Sequence, residues 1–267
     1  MTGNKFYDPD TNSTFVYAPD PSSQQPHYWT RAEPIWVTAE KQGLRTAMFW
    51  WDGCRVNITG WTGSHCLDYG VDQQFHFWDP ETYEHDYINA TNEIMSAFAA
   101  NQWQLAMVYY EGMDGAGHMY GTNSTVIDEY IQKLDNVVSN IIDSTIRLQL
   151  EDQVNVVIVS DHGMIDVGPT FGTKVIHLSQ FLNKSDAHYL GGGGPFVLVW
   201  PSQGVTDLEL YRKLTIRPST GMNVYLKKDI PSKYHFKKSD RIAPILLVAK
   251  RGEICSYREI HDDGNFL

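Results

Sequence analysis

The chain has little cysteine, three residues in 267. An odd count leaves at least one cysteine without a partner in the chain. It also lacks an excess of positive charge. Its 21 Lys and Arg stand against 32 Asp and Glu, a formal net charge of -11. Domains that hold long nucleic acid are basic, so such a partner is excluded. A small phosphate substrate is not, because bound metal ions supply positive charge locally. No apolar run reaches the roughly 18 residues that a membrane span requires. Met1-Thr2-Gly3-Asn4-Lys5 has no apolar core of a signal peptide. There is no Gly-X-Ser-X-Gly nucleophile elbow and no P-loop.

What is present is globular in character: 42% hydrophobic and 20% charged residues, in a length that suits one large core or two small ones. Five Asn-X-Ser/Thr sequons, at Asn12, Asn57, Asn89, Asn123 and Asn183, point to passage through the secretory pathway. An oxidising compartment permits Cys54 and Cys66 to close a small loop as a disulfide, which leaves Cys255 over. Extracellular signs without a leader lead to the expectation that the chain is an internal piece of a longer precursor. Any membrane anchor would then lie in sequence outside these 267 residues.

Residues 1–33 read as irregular, interrupted by Pro9, Pro19, Pro21 and Pro26. Pro34 to Gln42 predicts a short helix ended by Gly43. Arg45–Trp51 predicts a strand, residues 52–80 a loop, and Glu93–Ala100 a helix. Leu105–Tyr110 is a short apolar strand pattern. From Val126, the positions Ile127, Tyr130, Ile131, Leu134, Val137, Val138, Ile141 and Ile142 follow helical spacing. Val154–Ser160 is a β-branched run bounded by polar residues, the pattern of a buried strand, and Ser160 is assigned to it. Strand, helix, strand predicts a right-handed crossover with parallel strands, whose carboxyl ends share one sheet edge. Gly191–Gly194 predicts a loop. Phe196–Trp200, Asn223–Leu226 and Ile245–Ala249 predict further strands.

Two segments carry the chemistry. Asp114-Gly115-Ala116-Gly117-His118 follows one strand pattern and Ser160-Asp161-His162-Gly163 follows the other. Each offers a carboxylate and an imidazole, donors that suit zinc. Asp114 and His118 are four apart, a spacing that serves one metal on a helical turn. Asp161 and His162 are adjacent, and Gly163 permits the turn that would let both face one way. Zinc sites take at least three protein ligands, so each pair is incomplete. No nucleophile is assigned by spacing; Thr38, Thr46 and Thr122 have no supporting base nearby in sequence.

The stretch Glu111-Gly112-Met113-Asp114-Gly115-Ala116-Gly117-His118-Met119-Tyr120-Gly121, with Ser160-Asp161-His162-Gly163-Met164, resembles the nucleotide pyrophosphatase/phosphodiesterase family of the alkaline phosphatase superfamily. Asn4-Lys5-Phe6-Tyr7-Asp8-Pro9, Pro34-Ile35-Trp36-Val37-Thr38, Phe49-Trp50-Trp51-Asp52-Gly53 and Arg241-Ile242-Ala243-Pro244-Ile245 extend the likeness over nearly the whole chain, in order. The resemblance implies an α/β, alkaline-phosphatase-like fold with a central, mostly parallel sheet and helices on both faces. It implies two zinc ions. Asp161 and His162 would ligate the one beside the nucleophile, and Asp114 and His118 the other. Asn4 would donate a hydrogen bond to the transferring phosphoryl oxygen. Trp50 and Tyr69 would line the leaving-group or nucleotide pocket. The implied chemistry is attack of a Thr on phosphorus, then hydrolysis of the enzyme-bound ester by zinc-activated water.

The departures are equally specific. The family's nucleophilic Thr and first Asp ligand lie upstream of the Asn-Lys-Phe-Tyr-Asp-Pro region, where this sequence begins. Its last His ligand lies in a His-Gly-X-Asp-Asn motif, which His261-Asp262-Asp263-Gly264 does not match. Asp52 stands where the family often has Pro. Residues 1–267 therefore read as a partial phosphodiesterase catalytic domain, incomplete at both ends. Alone, it is expected to be inactive and prone to instability or aggregation. The resemblance implies a small nucleotide or related phosphodiester as substrate and an extracellular or cell-surface setting. Two alternatives stay open. One is a phospholipase C-like hydrolase of choline phosphodiesters, since Tyr69, Phe75, Phe77 and Trp78 suit a choline headgroup as well as a base. The other is a non-catalytic binding protein on the same fold.

Overall fold

The structure, a computed structural model, describes residues 4–17, 20–69, 80–168, 171–216 and 221–257. In chain order its elements are β1 (Lys5–Asp8), β2 (Ser13–Val16), α1 (Ile35–Lys41), β3 (Thr46–Phe49), β4 (His65–Leu67), α2 (Pro80–Ala99) and β5 (Leu105–Val108). There follow α3 (Gly112–Tyr120), α4 (Thr125–Arg147), β6 (Lys174–His177), β7 (Ala187–Gly193), β8 (Phe196–Pro201), α5 (Asp207–Thr215), β9 (Met222–Leu226), β10 (Ile245–Ala249) and β11 (Glu253–Ser256). The expected α/β class is borne out. The chain divides into two compact units, residues 18–166 and residues 1–17 with 167–267. Among the described residues no helix is long and apolar enough to cross a membrane.

In residues 18–166 a parallel sheet has the order β4-β3-β5. Its middle strand β3 is buried at every position, as a strand covered on both faces must be. Helix α1 starts after Pro34, whose fixed φ suits a helix entry, and Gly43 at φ +80° follows its end. Cys54 and Cys66 are joined, as expected, so a disulfide ties the loop after β3 to β4. The sequence reading had left residues 52–80 without a strand; three-residue β4 is too short to show a period. Helices α2 and α4 share a polar seam, with Lys133 Nζ 2.8 Å from Glu84 and 3.1 Å from Glu81 and with Asn140 Nδ2 3.1 Å from Asn92 Oδ1. Tyr83, Tyr87, Ala116, Ile127, Tyr130 and Val137 form the apolar core between α2, α3 and α4. The expected helix at Glu93–Ala100 is the last part of the 20-residue α2.

Two expectations in this unit fail. Val154–Ser160 is not a strand and is not buried: Val157 is 81% exposed, Val159 84%. A β-branched run becomes a buried strand only when neighbouring strands take its N–H and C=O groups and a second layer covers its side chains. Among the described residues no strand pairs with it, so the predicted crossover to a second parallel strand is absent here. Ser160 is likewise exposed and donates its hydroxyl to the His162 carbonyl. Helix α4 forms where its spacing predicted. Only part of its apolar set is buried, because the eight positions are wider than one stripe: Ile127, Tyr130 and Val137 are covered while Ile131 and Ile142 face solvent.

In the other unit, β1 and β2 form an antiparallel hairpin within the segment read as irregular. In β1 burial alternates, with Phe6 and Asp8 covered and Lys5 and Tyr7 partly exposed, over four residues only. A four-stranded antiparallel sheet has the order β7-β8-β10-β9, and β11 pairs parallel with β6. The strands expected at Phe196–Trp200, Asn223–Leu226 and Ile245–Ala249 are β8, β9 and β10. The glycine run does not form the predicted loop; β7 passes through Gly191 and Gly192 to Gly193. A Cβ on Gly191 would stand 2.8 Å from the Lys5 carbonyl, so only glycine admits this close strand approach. Helix α5 starts with a full capping box between Thr206 and Glu209 and buries Leu210 and Leu214 against Leu190, Val197, Val199 and Leu247. Phe75, Phe77, Trp78 and residues 261–264 lie outside the described residues.

Candidate active site

The site is built at the carboxyl end of the parallel sheet. β5 pairs with β3, and the Tyr109 amide extends the ladder by one bond to Phe49 O, 3.1 Å. The chain then passes Tyr110 and Glu111 and enters α3. Gly112 makes the sharp entry possible, because a Cβ there would meet Tyr110 Oη and Tyr130 Cε1, each at 2.8 Å. Asp114 falls in the first turn of α3 and His118 in the last, one helical turn apart on one face. Asp114 thus has the favourable sign for its end of the helix dipole. His118 Nε2 stands 3.5 Å from Asp114 Oδ2, with both side chains about half exposed. The second Asp114 oxygen, Oδ1, is buried and has no hydrogen-bond partner among the described residues.

The second pair is also formed. His162 Nε2 is 3.4 Å from Asp161 Oδ2, and the His162 amide donates to Asp161 Oδ1 at 2.9 Å. His162 Nδ1 is 3.0 Å from Gly163 O. Gly163 does not adopt a left-handed φ, so the turn it was expected to permit is made without one.

Three interactions tie the second pair's segment to α3 and to Thr122 just past its end. A Cβ on Gly117 would stand 3.1 Å from Met164 Cε, so α3 lies directly against Met164. Asp166 accepts the Thr122 amide at 2.6 Å and the Thr122 hydroxyl at 2.8 Å. Tyr109 feels both pairs. Burial first, then the charges of Glu111, Asp161 and Asp114, push its phenol up to about 12. The structure therefore assembles each Asp–His pair and holds the two segments against each other. Among the described residues neither pair gains a third Asp, Glu, His or Cys donor within metal reach.

Tyr69 is buried, packs edge-to-face on Tyr109 at 5.3 Å and donates its hydroxyl to Glu111 Oε2. Tyr83 Oη reaches the other Glu111 oxygen at 3.5 Å. Burial raises the Glu111 carboxyl above the usual range, the two phenols pull it down, and Asp114 raises it again, with a net upward shift. Trp50, directly after β3, takes a left-handed backbone at φ +55° and packs on Tyr87 at 4.3 Å. Tyr69 thus stands buried beside the start of α3, and Trp50 is half-buried. Asn4 belongs to the other unit, where its exposed side chain precedes β1 and its carbonyl accepts the Tyr17 amide at 2.8 Å. Sequence reasoning missed Tyr109, Glu111 and Asp166 as site residues. Glu111 sits at a strand-to-helix junction and was findable there; Asp166 carried no local signal.

The α/β fold thus places one Asp–His pair beyond the end of a parallel strand and holds the segment of a second pair against it. The type I phosphodiesterase / nucleotide pyrophosphatase model matches residues 1–265, and the chain belongs to this family. It is 28% identical over 266 residues to an uncharacterized pyrophosphatase/phosphodiesterase of Schizosaccharomyces pombe, covering 94% of this chain and 50% of the relative. It is 30% identical over 254 residues to the human bis(5'-adenosyl)-triphosphatase ENPP4, covering 94% and 52%. The chain thus spans about half the length of the curated relatives it matches. Among solved structures, murine ectonucleotide pyrophosphatase/phosphodiesterase 5, as an inactive variant in complex with AMP, superposes with a TM-score of 0.79. That match has 27% identity and covers 99% of this chain and 65% of the other.

Proposed function

We propose that this chain carries part of the catalytic centre for zinc-dependent hydrolysis of phosphodiester or pyrophosphate bonds in extracellular nucleotides. The observation that carries the reading is the pair of Asp–His clusters on two segments joined through Met164 and Asp166. Asp114 with His118, and Asp161 with His162, would each hold one zinc. The unpartnered, buried Oδ1 of Asp114 supports this, because a buried carboxylate oxygen without a donor is what a cation satisfies. Zinc, when bound, supplies Lewis-acid polarisation of the phosphoryl group and a water activated near neutral pH. Glu111 fixes the Tyr69 ring at the start of α3, and Tyr69 and Trp50 are assigned to the nucleotide pocket by family likeness. Asn4 is assigned to a phosphoryl oxygen by family likeness.

Hydrolysis tests the reading. A nitrophenyl ester of TMP and nitrophenyl phosphocholine are offered, with zinc, to the 267-residue chain and to the protein expressed from its complete gene. The expected result is chelator-sensitive cleavage of the nucleotide ester by the latter and none by the chain alone. Preference for phosphocholine would move the assignment to choline phosphodiesters. No cleavage of either, with zinc bound, would make it a binding protein. Chelator-sensitive cleavage by the 267-residue chain would overturn its expected inactivity.

The secretory setting has a separate support. All five sequon asparagines, Asn12, Asn57, Asn89, Asn123 and Asn183, are exposed. Expression through a eukaryotic secretory pathway is expected to give a ladder of glycoforms that collapses to about 30.5 kDa with an endoglycosidase. A single band that the enzyme leaves unchanged would contradict this.

A further inference from the structure

One segment runs against the charge of the chain. Lys227, Lys228, Lys233, Lys237 and Lys238 put five of the 21 Lys and Arg into twelve consecutive residues, with one acid among them, in a chain of net charge -11. The segment connects β9 to β10 and is held in one shape. Two 3-10 turns, Lys227–Asp229 and Ser232–Tyr234, flank the fully buried Ile230. The Lys227 amide donates to Pro244 O at 2.8 Å. His235 takes a left-handed backbone at φ +49°, which few residues other than glycine adopt. Beyond it, Lys237 Nζ reaches back to donate to the Lys228 carbonyl at 3.1 Å, so the two ends of the segment are neighbours. Lys228, Lys233, Lys237 and Lys238 are exposed and Lys227 is half-exposed. Elsewhere Lys41, Lys133 and Lys213 stand within 3.1 Å of carboxylates, and Arg241 pairs with Asp8. Among the described residues no carboxylate pairs with any of the five lysines here. Like charges held this close repel, and without acidic partners their field is open to an anion. Tyr234, 39% exposed, lies beneath Lys233 Nζ at 5.4 Å and adds an apolar ring edge to the basic surface.

We propose that residues 227–238 form a docking surface for a sulfated glycosaminoglycan. Short lysine-rich segments suit such polymers, because a row of ammonium groups matches a row of sulfates. Shape selects among polyanions. The rest of the chain is acidic, so a broad anionic surface such as a bilayer or a duplex would meet repulsion from it within a Debye length, about 8 Å. A narrow linear polymer follows the lysines and avoids that cost. Tyr234 offers a sugar ring an apolar contact that a phosphate or a lone sulfate does not use. The surface lies within the unit of residues 1–17 and 167–267 and uses none of the Asp–His residues. It does not depend on the phosphodiesterase reading. The choice of a sulfated sugar rests on the secretory setting proposed above, which the endoglycosidase experiment tests on its own.

Binding to immobilised heparin is measured by surface plasmon resonance over a series of salt concentrations, with the protein expressed from its complete gene. Four lysine contacts to a single-stranded polyanion, at a slope of about -0.7 each, give an affinity that falls about 50-fold between about 50 and 200 mM salt. The variant Lys228→Gln, Lys233→Gln, Lys237→Gln with Lys238→Gln should bind at least about tenfold more weakly and flatten the salt slope. These side chains are exposed, so the fold should tolerate the changes. A control, Lys174→Gln, Lys184→Gln, Lys250→Gln with Arg251→Gln, removes the same charge from exposed positions of the same unit and should leave binding nearly unchanged. Hyaluronan, which has no sulfate, should compete poorly. No binding to heparin, equal affinity of the four-lysine variant and wild type, or an equal loss in the control would overturn the proposal. Tighter binding to phosphatidylserine vesicles or duplex DNA at the same salt would overturn the choice of partner. Where the four-lysine variant does not fold, acetylation footprinting of the wild type decides. Heparin should protect Lys228, Lys233, Lys237 and Lys238 and leave Lys174 and Lys184 reactive; uniform protection, or none, overturns the proposal.

Discussion

Asp8→Ala is expected to destabilise the protein by about 3–5 kcal/mol, the range for removing one partner of a buried ion pair. Asp8 closes β1 and Arg241 precedes β10. Their side chains are 1% and 7% exposed, and Arg241 Nε donates to Asp8 Oδ2 at 2.7 Å. The guanidinium also stands over the Phe6 ring at 5.5 Å, and Phe6 stacks on Phe15 at 4.9 Å. One ion pair thus anchors the β1–β2 hairpin to a segment 233 residues further along the chain. Asp8→Ala leaves a guanidinium buried without its charge partner, and Arg241→Met leaves a carboxylate in the same position. The double variant Asp8→Leu with Arg241→Met removes both charges and should recover most of the loss, since apolar replacement of a whole buried pair is often neutral. Urea unfolding of wild type, Asp8→Leu, Arg241→Met and the double variant completes the cycle, with Asp8→Ala measured beside it. A loss below about 1 kcal/mol for Asp8→Ala would mean that the pair behaves like a surface bridge.

The same ion pair marks what could be read in the sequence. Asp8 and Arg241 stood inside segments recognised by likeness, yet nothing local in either segment foretold their pairing. Local signals carried well where a short pattern is sufficient. Pro34 and Gly43 bracketed α1, the i, i+4 spacing of Asp114 and His118 put both on one helix face, and two nearby cysteines closed a loop. They failed where partners decide. Val154–Ser160 has the composition of a core strand, but strand formation is a property of the sheet that receives it, and none among the described residues does. The four glycines before Phe196 read as a loop because propensity counts their freedom. Here their lack of a side chain is what allows β7 to approach Lys5. The Asp–His pairs were legible as chemistry. The residues that hold their segments together, Asp166 on Thr122 and Met164 on Gly117, were not, because tertiary packing selects them.

Glu40→Ala is expected to cost about 2–4 kcal/mol, since one carboxylate oxygen there serves four donors and two of them belong to a buried residue. Glu40 Oε1 accepts the Thr46 amide at 2.9 Å, the Thr46 hydroxyl at 2.7 Å, the Ser64 amide at 3.0 Å and the Ser64 hydroxyl at 2.7 Å. Thr46 is fully buried at the start of β3, and Ser64 directly precedes β4. Helix α1 is thereby fastened to the first residues of two paired strands. Burial alone would raise the Glu40 carboxyl, but the hydrogen bonds from Ser64 and Thr46 outweigh it and hold the carboxyl below its ordinary value of 4.5. The sign of the pH dependence follows. A carboxyl whose folded value is depressed adds stability that is present in full above the unfolded value and is lost as pH falls through the folded one. Wild type should therefore exceed Glu40→Gln in stability at neutral pH, and the gap should close on acidification below about 4.5. Glu40→Gln keeps a carbonyl acceptor, so it separates the charge from the geometry, and Glu40→Ala removes both. Urea unfolding of the three proteins at neutral pH and at a series of acid values measures this. A wild-type advantage over Glu40→Gln that persists unchanged into acid would show that the charge contributes nothing. A cost below about 0.5 kcal/mol for Glu40→Ala would show that Thr46 finds another acceptor once Glu40 is gone.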